Sequence, residues 1–276
     1  NECGRSARDY LKSRGFYDEN LLSDYGIGWA TSGWKDTLTH LKNKEKCSDE
    51  NILQAGLIKQ KDGTTERNFY DRFRGRIIFP LQDIHGNLIA FAGRSIGEGE
   101  PKYLNSPETP LYIKGNHLFG LNRSREAIRK QNRALIMEGY FDQMRAHQFG
   151  IRNTVATCGT ALTPAQAILL KNQTSRTTLF FDSDSAGQAA AERGFGVLLE
   201  HGLSVEILYL PSGHDPDSFI QQFGSEIFLE KLKNAKPFVE SYILSTIKSG
   251  DLSTPAGKLE VVNSTLPILA RVKNSI

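Results

Sequence analysis

Hydrophobic and polar positions along the chain follow three successive patterns. Up to residue 58, apolar residues recur at helical spacing in short runs. SARDYLKSRGF stops at Gly15, DENLLSDYGIGWA behaves similarly, and SDENILQAGL starts at a Ser48 cap. These predict short helices in a small packing layer that carries no chemistry. The pattern changes between residues 69 and 104. RIIFPLQDIHGNLIAFAGRSI holds two β-rich runs joined by Asp-Ile-His-Gly-Asn, which has hairpin chemistry. Arg72, Arg74 and Arg76 alternate, so a strand through them would place all three on one face. PKYLNSPETPLYIKGNHLFGL is rich in Pro, Asn and Gly and has little period. It predicts an ordered loop that offers Lys102, Asn105 and Lys114.

From Arg133 onward, short apolar runs alternate with helical ones. ALIM, NTVATCGT, TTLFF and SVEILYL read as strands. YFDQMRAHQFG, LTPAQAILLKN and the Ala-rich segment after Asp184 read as helices, the second with Thr163 as cap and Pro164 at its first position. That alternation predicts an α/β fold, a mostly parallel sheet with helices on both faces. After Pro211 the pattern is helical again, through DSFIQQFG and SEIFLEKLKNAKPFVESYILSTI. The expected organisation is a mixed α+β subdomain over 1–131, the parallel-sheet subdomain over 132–221, and a helical subdomain over 222–276 that the end of the sequence cuts short.

Composition changes this picture little. The 276 residues are 39% hydrophobic and 24% charged, ordinary for a soluble globular protein. No apolar run approaches the roughly 18–20 residues of a membrane span. The first residue is Asn1 and no signal peptide is visible, so the expectation is an excised piece of a longer cytoplasmic protein. Cys3, Cys47 and Cys158 are far apart and form no CxxC pair, which argues against structural zinc and against a disulfide framework. Charge is more informative. Lys59 to Arg133 contains fourteen Lys or Arg against eight Asp or Glu, a local net of +6. The whole-chain net of +3 leaves −3 for the rest. A basic middle followed by acid clusters suggests an anionic ligand held near a cation site.

The acids fall at a particular address. In an open parallel sheet, ligands bind outside the carboxyl ends of the strands. Glu138 follows ALIM, with Asp142 four residues on. Asp182 and Asp184 follow TTLFF, and Asp215 and Asp217 follow SVEILYL. Parallel strands would bring all three groups to one edge. Two like charges about 4 Å apart repel by ~1 kcal/mol in water and by ~4 kcal/mol at an effective dielectric of ~20. Such a cluster calls for a cation. Mg²⁺ takes oxygen ligands and keeps waters and substrate phosphates in its shell, and two such ions can clamp a phosphoryl displacement. Taken singly, Asp184 could cap the Ala-rich helix, Asp215-Pro216-Asp217 could be a capped turn, and Glu138 could be a surface residue. Asp182 could also be a covalent phosphotransfer nucleophile, but that reading leaves Glu138 unexplained. A binding-only role is disfavoured by the intact acids in all three groups.

EGYFDQ from Glu138, DSDSAG from Asp182 and DPD from Asp215 together resemble the Toprim domain of bacterial DnaG-type DNA primases. YDRFRGRIIFPLQDIHGNLIAFAGR and PKYLNSPET resemble the basic N-terminal subdomain of that family, so the resemblance covers roughly residues 5 to 245. It implies a Toprim-type sheet with Glu138, Asp182 and Asp184 as core metal ligands. Asp142, Asp215 and Asp217 would complete the acidic cluster. Arg72, Arg74, Arg76, Arg94, Lys102, Asn105 and Lys114 would form a facing basic ridge for nucleoside triphosphate and template–primer backbone, with Tyr70, Phe73 or Tyr103 available for stacking. The implied activity is synthesis of short RNA primers on single-stranded DNA from ribonucleoside triphosphates, with two or more Mg²⁺ or Mn²⁺ ions, in a monomer working in the bacterial replisome. Glu138 could serve as ligand or as general base. The zinc-binding domain of the family would need a Cys/His cluster that is not here, and a domain contacting the replicative helicase would follow Ile276. Two positions depart from the family pattern: Gln143 stands where Val is usual, and Ser183 where Gly is usual.

Overall fold

The computed structural model describes residues 4–61, 68–97, 99–159, 161–181, 194–211 and 213–272. It divides into two units, Asn1–Lys114 and Gly115–Ile276. In the first, the run ending at Gly15 folds as α1 (Arg5–Ser13) and buries Ala7 and Leu11. Asp18 accepts from the Asn20 and Leu21 N–H groups and opens α2 (Glu19–Asp24). The helical reading of the residues after Asp24 fails. Gly26 takes φ 65, a left-handed value that ends the helix, and Gly28–Ala30 becomes strand β1. Next come α3 (Asp36–Asn43) and α4 (Asp49–Gln54). The second is capped by Ser48, which accepts from the Asn51 N–H as the sequence predicts.

Strands β2 (Ile58–Gln60) and β3 (Phe69–Asp71) form a two-stranded antiparallel ribbon. Leu38, Ile52, Ile58 and Phe69 make the small core between this ribbon and the two helices. The predicted hairpin is β4 (Arg76–Gln82) and β5 (Leu88–Ser95). Asp83 ties its loop by accepting from the His85 and Asn87 N–H groups at 2.8 and 2.9 Å. With β6 (Tyr103–Asn105) the sheet runs β1-β4-β5-β6, all antiparallel. Ile77, Phe79 and Leu81 alternate into its core.

In the second unit, α5 (Leu121–Gln131) leads into β7 (Ala134–Met137), α6 (Tyr140–Gln148), β8 (Thr154–Ala156), α7 (Pro164–Lys171) and β9 (Arg176–Phe181). Thr163 caps α7 through the Gln166 N–H, with Pro164 first in the helix. Helix α8 is described over 194–200. Then follow β10 (Ser204–Tyr209), α9 (Pro216–Lys233), β11 (Lys236–Pro237), α10 (Phe238–Ser249) and α11 (Pro255–Arg271). Strand order is β11-β10-β9-β7-β8. The four strands β7 to β10 are mutually parallel, and β11 runs antiparallel to β10. The sheet is therefore the parallel α/β sheet expected. Gly224 (φ 81) breaks α9 between the two helical runs read from sequence. The second run does not continue through Pro237, where β11 interrupts it.

The first unit also ends earlier than residue 131. Residues 115–131 belong with the parallel sheet because their polar groups are satisfied there. Gly115 and His117 carbonyls accept from Thr163 Oγ1 (2.6 Å) and Gln166 Nε2 (2.9 Å), and Phe119 bridges Ala156. The helices after residue 221 lie in the same unit, with Phe238 stacked on Phe195 and Phe228 on Phe180. Among the described residues no helix is long and apolar enough to cross a membrane.

One carboxylate organises the first unit. Lys35, at the N-cap of α3, provides no side-chain cap. Buried Asp71, from the end of β3, accepts the Thr37 and Leu38 N–H groups instead, at 2.7 and 3.0 Å. Asp71→Ala leaves two helix N–H groups without partners, and a loss of about 2–3 kcal/mol in urea denaturation is expected.

Candidate metal centre and nucleic-acid surface

Glu138 follows the last residue of β7 and is exposed. Its backbone is held by the Cys158 N–H, which donates to the Glu138 carbonyl at 2.9 Å. Cys158 follows β8 with φ 55, an uncommon backbone region for a residue with a side chain. Asp182 and Asp184 come directly after β9 and lie outside the described residues, as does Ser183. The acids near the other strands are described. Asp142 sits in the first turn of α6, where its Oδ2 accepts the Gly139 N–H at 2.9 Å. Its Oδ1 accepts the Asp217 N–H at 3.1 Å, across to the first turn of α9. Asp215 is the N-cap of α9 and accepts the Ser218 N–H at 2.8 Å. The structure thus brings Asp142, Asp215 and Asp217 together. Burial first, then the nearby Asp215 and Asp217 charges, push the Asp142 carboxyl up to about 7.

Asp217 differs from its neighbours. Arg145, one turn along α6, donates from Nε to Asp217 Oδ1 at 2.7 Å, and both side chains are almost wholly buried, 2% and 4% exposed. The other guanidinium nitrogens reach Gln148 Oε1 at 2.8 Å and Gln221 Oε1 at 3.3 Å.

Gln143, one of the two departures from the family pattern, lies in α6 and is fully buried. Its amide donates to the Thr154 carbonyl at 3.2 Å and lies 3.1 Å from His147 Nε2. Ser124 joins the same layer, 3.0 Å from His147 Nε2 and donating to the Thr154 carbonyl at 2.6 Å. Burial drives His147 down to about 3, so the imidazole is neutral and able to accept. Gly120, at φ 79, makes the space, since a Cβ there would collide with the Gln143 amide.

The basic residues of the first unit are not arranged as the alternation predicts. β3 stops at Asp71, so Arg72 and Arg74 are not in a strand with Arg76. Arg72 donates through Nε and Nη2 to the Asn105 carbonyl at 3.1 and 2.7 Å. Arg74 donates to the Asp71 carbonyl, and its guanidinium lies 4.3 Å from the Trp34 ring centre and 5.2 Å from that of Tyr70. Arg76 is buried and donates to the Gly93 and Pro101 carbonyls at 3.2 and 2.8 Å. Burial lowers the pKa of both Arg72 and Arg76. Arg94 is clasped by two phenols, donating to Tyr10 Oη at 2.8 Å and Tyr103 Oη at 2.6 Å. Lys102 and Lys114 are exposed. Of the candidate stacking rings, Phe73 is buried in the core, Tyr70 packs edge-on to Trp34, and Tyr103 holds Arg94.

Trp34 was not a sequence candidate. The residue is 63% exposed, and its ring is backed by the Arg74 guanidinium. The available signal was an indole in the polar stretch TSGWKD, outside any apolar period.

Among the described residues, no group of three or more His, Cys, Asp or Glu is arranged to hold a metal ion. The expected ligand set includes Asp182 and Asp184, which fall outside them. The acids that are described offer oxygen donors, the kind that a hard divalent cation takes.

Comparison with known proteins covers nearly the whole chain. Residues 1–125 match the family model of the DNA primase catalytic core, N-terminal domain, and residues 135–220 match a Toprim-like model. Residues 242–276 match the DnaB-helicase binding domain of primase. That last match starts inside the chain, where the sequence reading placed a helicase-contacting domain after Ile276. A DNA primase of Clostridium acetobutylicum is 38% identical over 97% of this chain and 44% of its own length. The chain spans less than half the length of the curated relatives it matches. A crystal structure of a DNA primase domain from Pseudomonas aeruginosa superposes with a TM-score of 0.88 at 36% identity, covering 97% of this chain and 83% of that one. A DnaG primase catalytic domain bound to single-stranded DNA superposes with a TM-score of 0.86 at 33% identity, covering 99% and 87%.

Proposed function

The chain belongs to the family of bacterial DnaG-type DNA primase catalytic cores, and on that premise we propose that it makes short RNA primers on single-stranded DNA by nucleotidyl transfer. The observation that carries this reading is the edge of the parallel sheet. Glu138 leaves β7 there, and Asp142 is driven to about 7 by burial beside Asp215 and Asp217. Divalent metal use goes with the Toprim and primase catalytic core. Here the ions would be Mg²⁺ or Mn²⁺, two or more, held by Glu138, Asp182 and Asp184 with Asp142 and Asp215 beside them. When bound, they lower the pKa of the attacking 3′-hydroxyl and offset charge on the departing pyrophosphate.

The chain's own groups do the binding and the orienting. The α6 and α9 N-terminal N–H groups hold Asp142 in one orientation, so the acid is positioned before any substrate arrives. Lys102 and Lys114 present exposed ammonium groups to phosphates. Arg72, Arg76 and Arg94 act differently, by bracing the strands and loop that carry Lys102 and Asn105. Base identity is read by pairing with the template, and protein contacts fall on the backbone. Trp34 offers a ring for one template base to stack on, with its other face covered by Arg74. The match over residues 242–276 supports contact of this C-terminal part with the replicative helicase.

Asp182→Asn and Glu138→Gln are each expected to abolish primer synthesis from labelled ribonucleotides on a single-stranded template, with the circular dichroism spectrum unchanged. Full activity in both would sink the metal-site assignment. Metal affinity should depend on pH with a definite sign. Below about 7 a proton must leave Asp142 as the metal binds, so affinity for Mg²⁺ climbs from pH 6 toward pH 7 and flattens above it. Titration calorimetry at pH 6 and pH 8 checks this, and equal affinities would count against Asp142 as part of the site. Trp34→Ala should weaken single-stranded DNA binding by about 1–3 kcal/mol, roughly 5- to 150-fold, in a fluorescence anisotropy titration at fixed salt.

A further inference from the structure

We propose that Asp217 is not a metal ligand in this chain but half of a permanent internal ion pair with Arg145, which removes one carboxylate from the acidic cluster. This rests on the metal-site reading above and departs from the ligand set that the family resemblance implies.

A metal-ligating carboxylate must present lone pairs to a cavity that a hydrated ion can enter. Asp217 presents its Oδ1 to Arg145 Nε at 2.7 Å, in a contact from which both side chains exclude water almost completely. A guanidinium does not give up its proton in proteins, so it cannot leave the carboxylate by deprotonation. Nor is it free to swing away. Gln148, one turn along α6, and Gln221, on α9, take its other nitrogens. The four side chains form a polar clamp between α6 and α9. Expelling Arg145 to admit a metal ion would strand a buried cation, which is far more costly than breaking a surface pair.

The same clamp explains how Asp142 is held. Asp217 holds Asp142 in place through its backbone N–H, which donates to Asp142 Oδ1. The α9 terminus must therefore stay docked on α6 for Asp142 to keep its orientation, and the Arg145–Asp217 pair fixes that docking. Asp215, two residues earlier, is exposed and accepts the Ser218 N–H of its own helix turn, so its carboxylate stands in solvent where a cation can reach it. Asp217 is then a positioning residue, and Asp215 is the acid of this pair left to face a cation.

The test uses Mn²⁺ as probe, with the free ion read by electron paramagnetic resonance, and urea denaturation of the same samples. The variants are Arg145→Met, Asp217→Leu and the double substitution, which removes the pair without leaving a buried charge. The double variant is expected to bind the same number of Mn²⁺ ions as the unsubstituted chain, with affinity within about tenfold, or ~1.4 kcal/mol. Loss of a bound ion, or a larger fall in affinity with an unchanged circular dichroism spectrum, overturns the proposal. In urea each single variant should have a lower midpoint than the unsubstituted chain, and the double variant should regain most of that loss. A double variant no more stable than the weaker single one also overturns it. A different result marks failure of the metal-site reading itself: no Mn²⁺ bound by the unsubstituted chain, or binding untouched by Asp182→Asn. The urea comparison then still decides whether the pair is a coupled clamp.

Discussion

Gathering carboxylates at one sheet edge is the constraint on which the second unit depends. Like charges drawn together in a partly buried place repel more strongly than in water, and a fold must hold them before any cation offsets the repulsion. The structure does this with the ends of helices. The first turns of α6 and α9 point N–H groups at Asp142, and the positive ends of both helices favour negative charge there. Arg145 pairs with Asp217 in a nearly water-free contact. Burial of Asp142, and after it the charges of Asp215 and Asp217, still holds its carboxyl up at about 7. The parallel order of β7, β9 and β10 is what brings those helix ends to a common edge.

The first unit solves the opposite problem, too many cations in a small sheet. Arginine forks there bind backbone carbonyls and phenols as much as they face solvent. Arg76 ties β4 to the loop after Glu100, Arg72 ties the chain after β3 to β6, and Arg94 joins Tyr10 to Tyr103. A basic stretch in a sequence is therefore not the same thing as a basic surface. Planar guanidinium groups with several donors are well suited to cross-linking irregular chain, while the lysines, with a single mobile ammonium, remain at the surface.

Most of the architecture was legible because it is local. Ser48, Thr163 and Pro164 begin helices where their chemistry requires, and the Asp-Ile-His-Gly-Asn loop turns the hairpin as written. The strand–helix alternation after Arg133 led directly to the parallel sheet, and with it to the edge where the acids emerge. What stayed hidden was set by distant partners. Nothing within a few residues of Asp217 reveals that a side chain 72 positions earlier occupies it. Nothing near Asp71 tells that it caps a helix 34 residues before it. The shared face of Arg72, Arg74 and Arg76 was inferred from alternation alone, and alternation does not reveal that the strand has already ended. Gln143 looked like an anomaly in sequence. In the fold it is one member of a buried polar layer whose other members, Ser124, His147 and Thr154, come from three different elements.

The two-residue strand β11 is small enough to pass unnoticed, yet it changes how the sheet meets other molecules. A parallel sheet ends in rows of N–H and C=O groups able to recruit a strand from a second chain. On one side Lys236 and Pro237 pair with Ile207 and Glu206 of β10, and proline has no N–H to pass the ladder on. On the other side the bridge from Phe119 to Ala156 covers β8. Each flank of the sheet thus meets a short piece of the same chain over part of its length, which discourages edge-to-edge aggregation and leaves the carboxyl ends of the strands as the place where a ligand can approach.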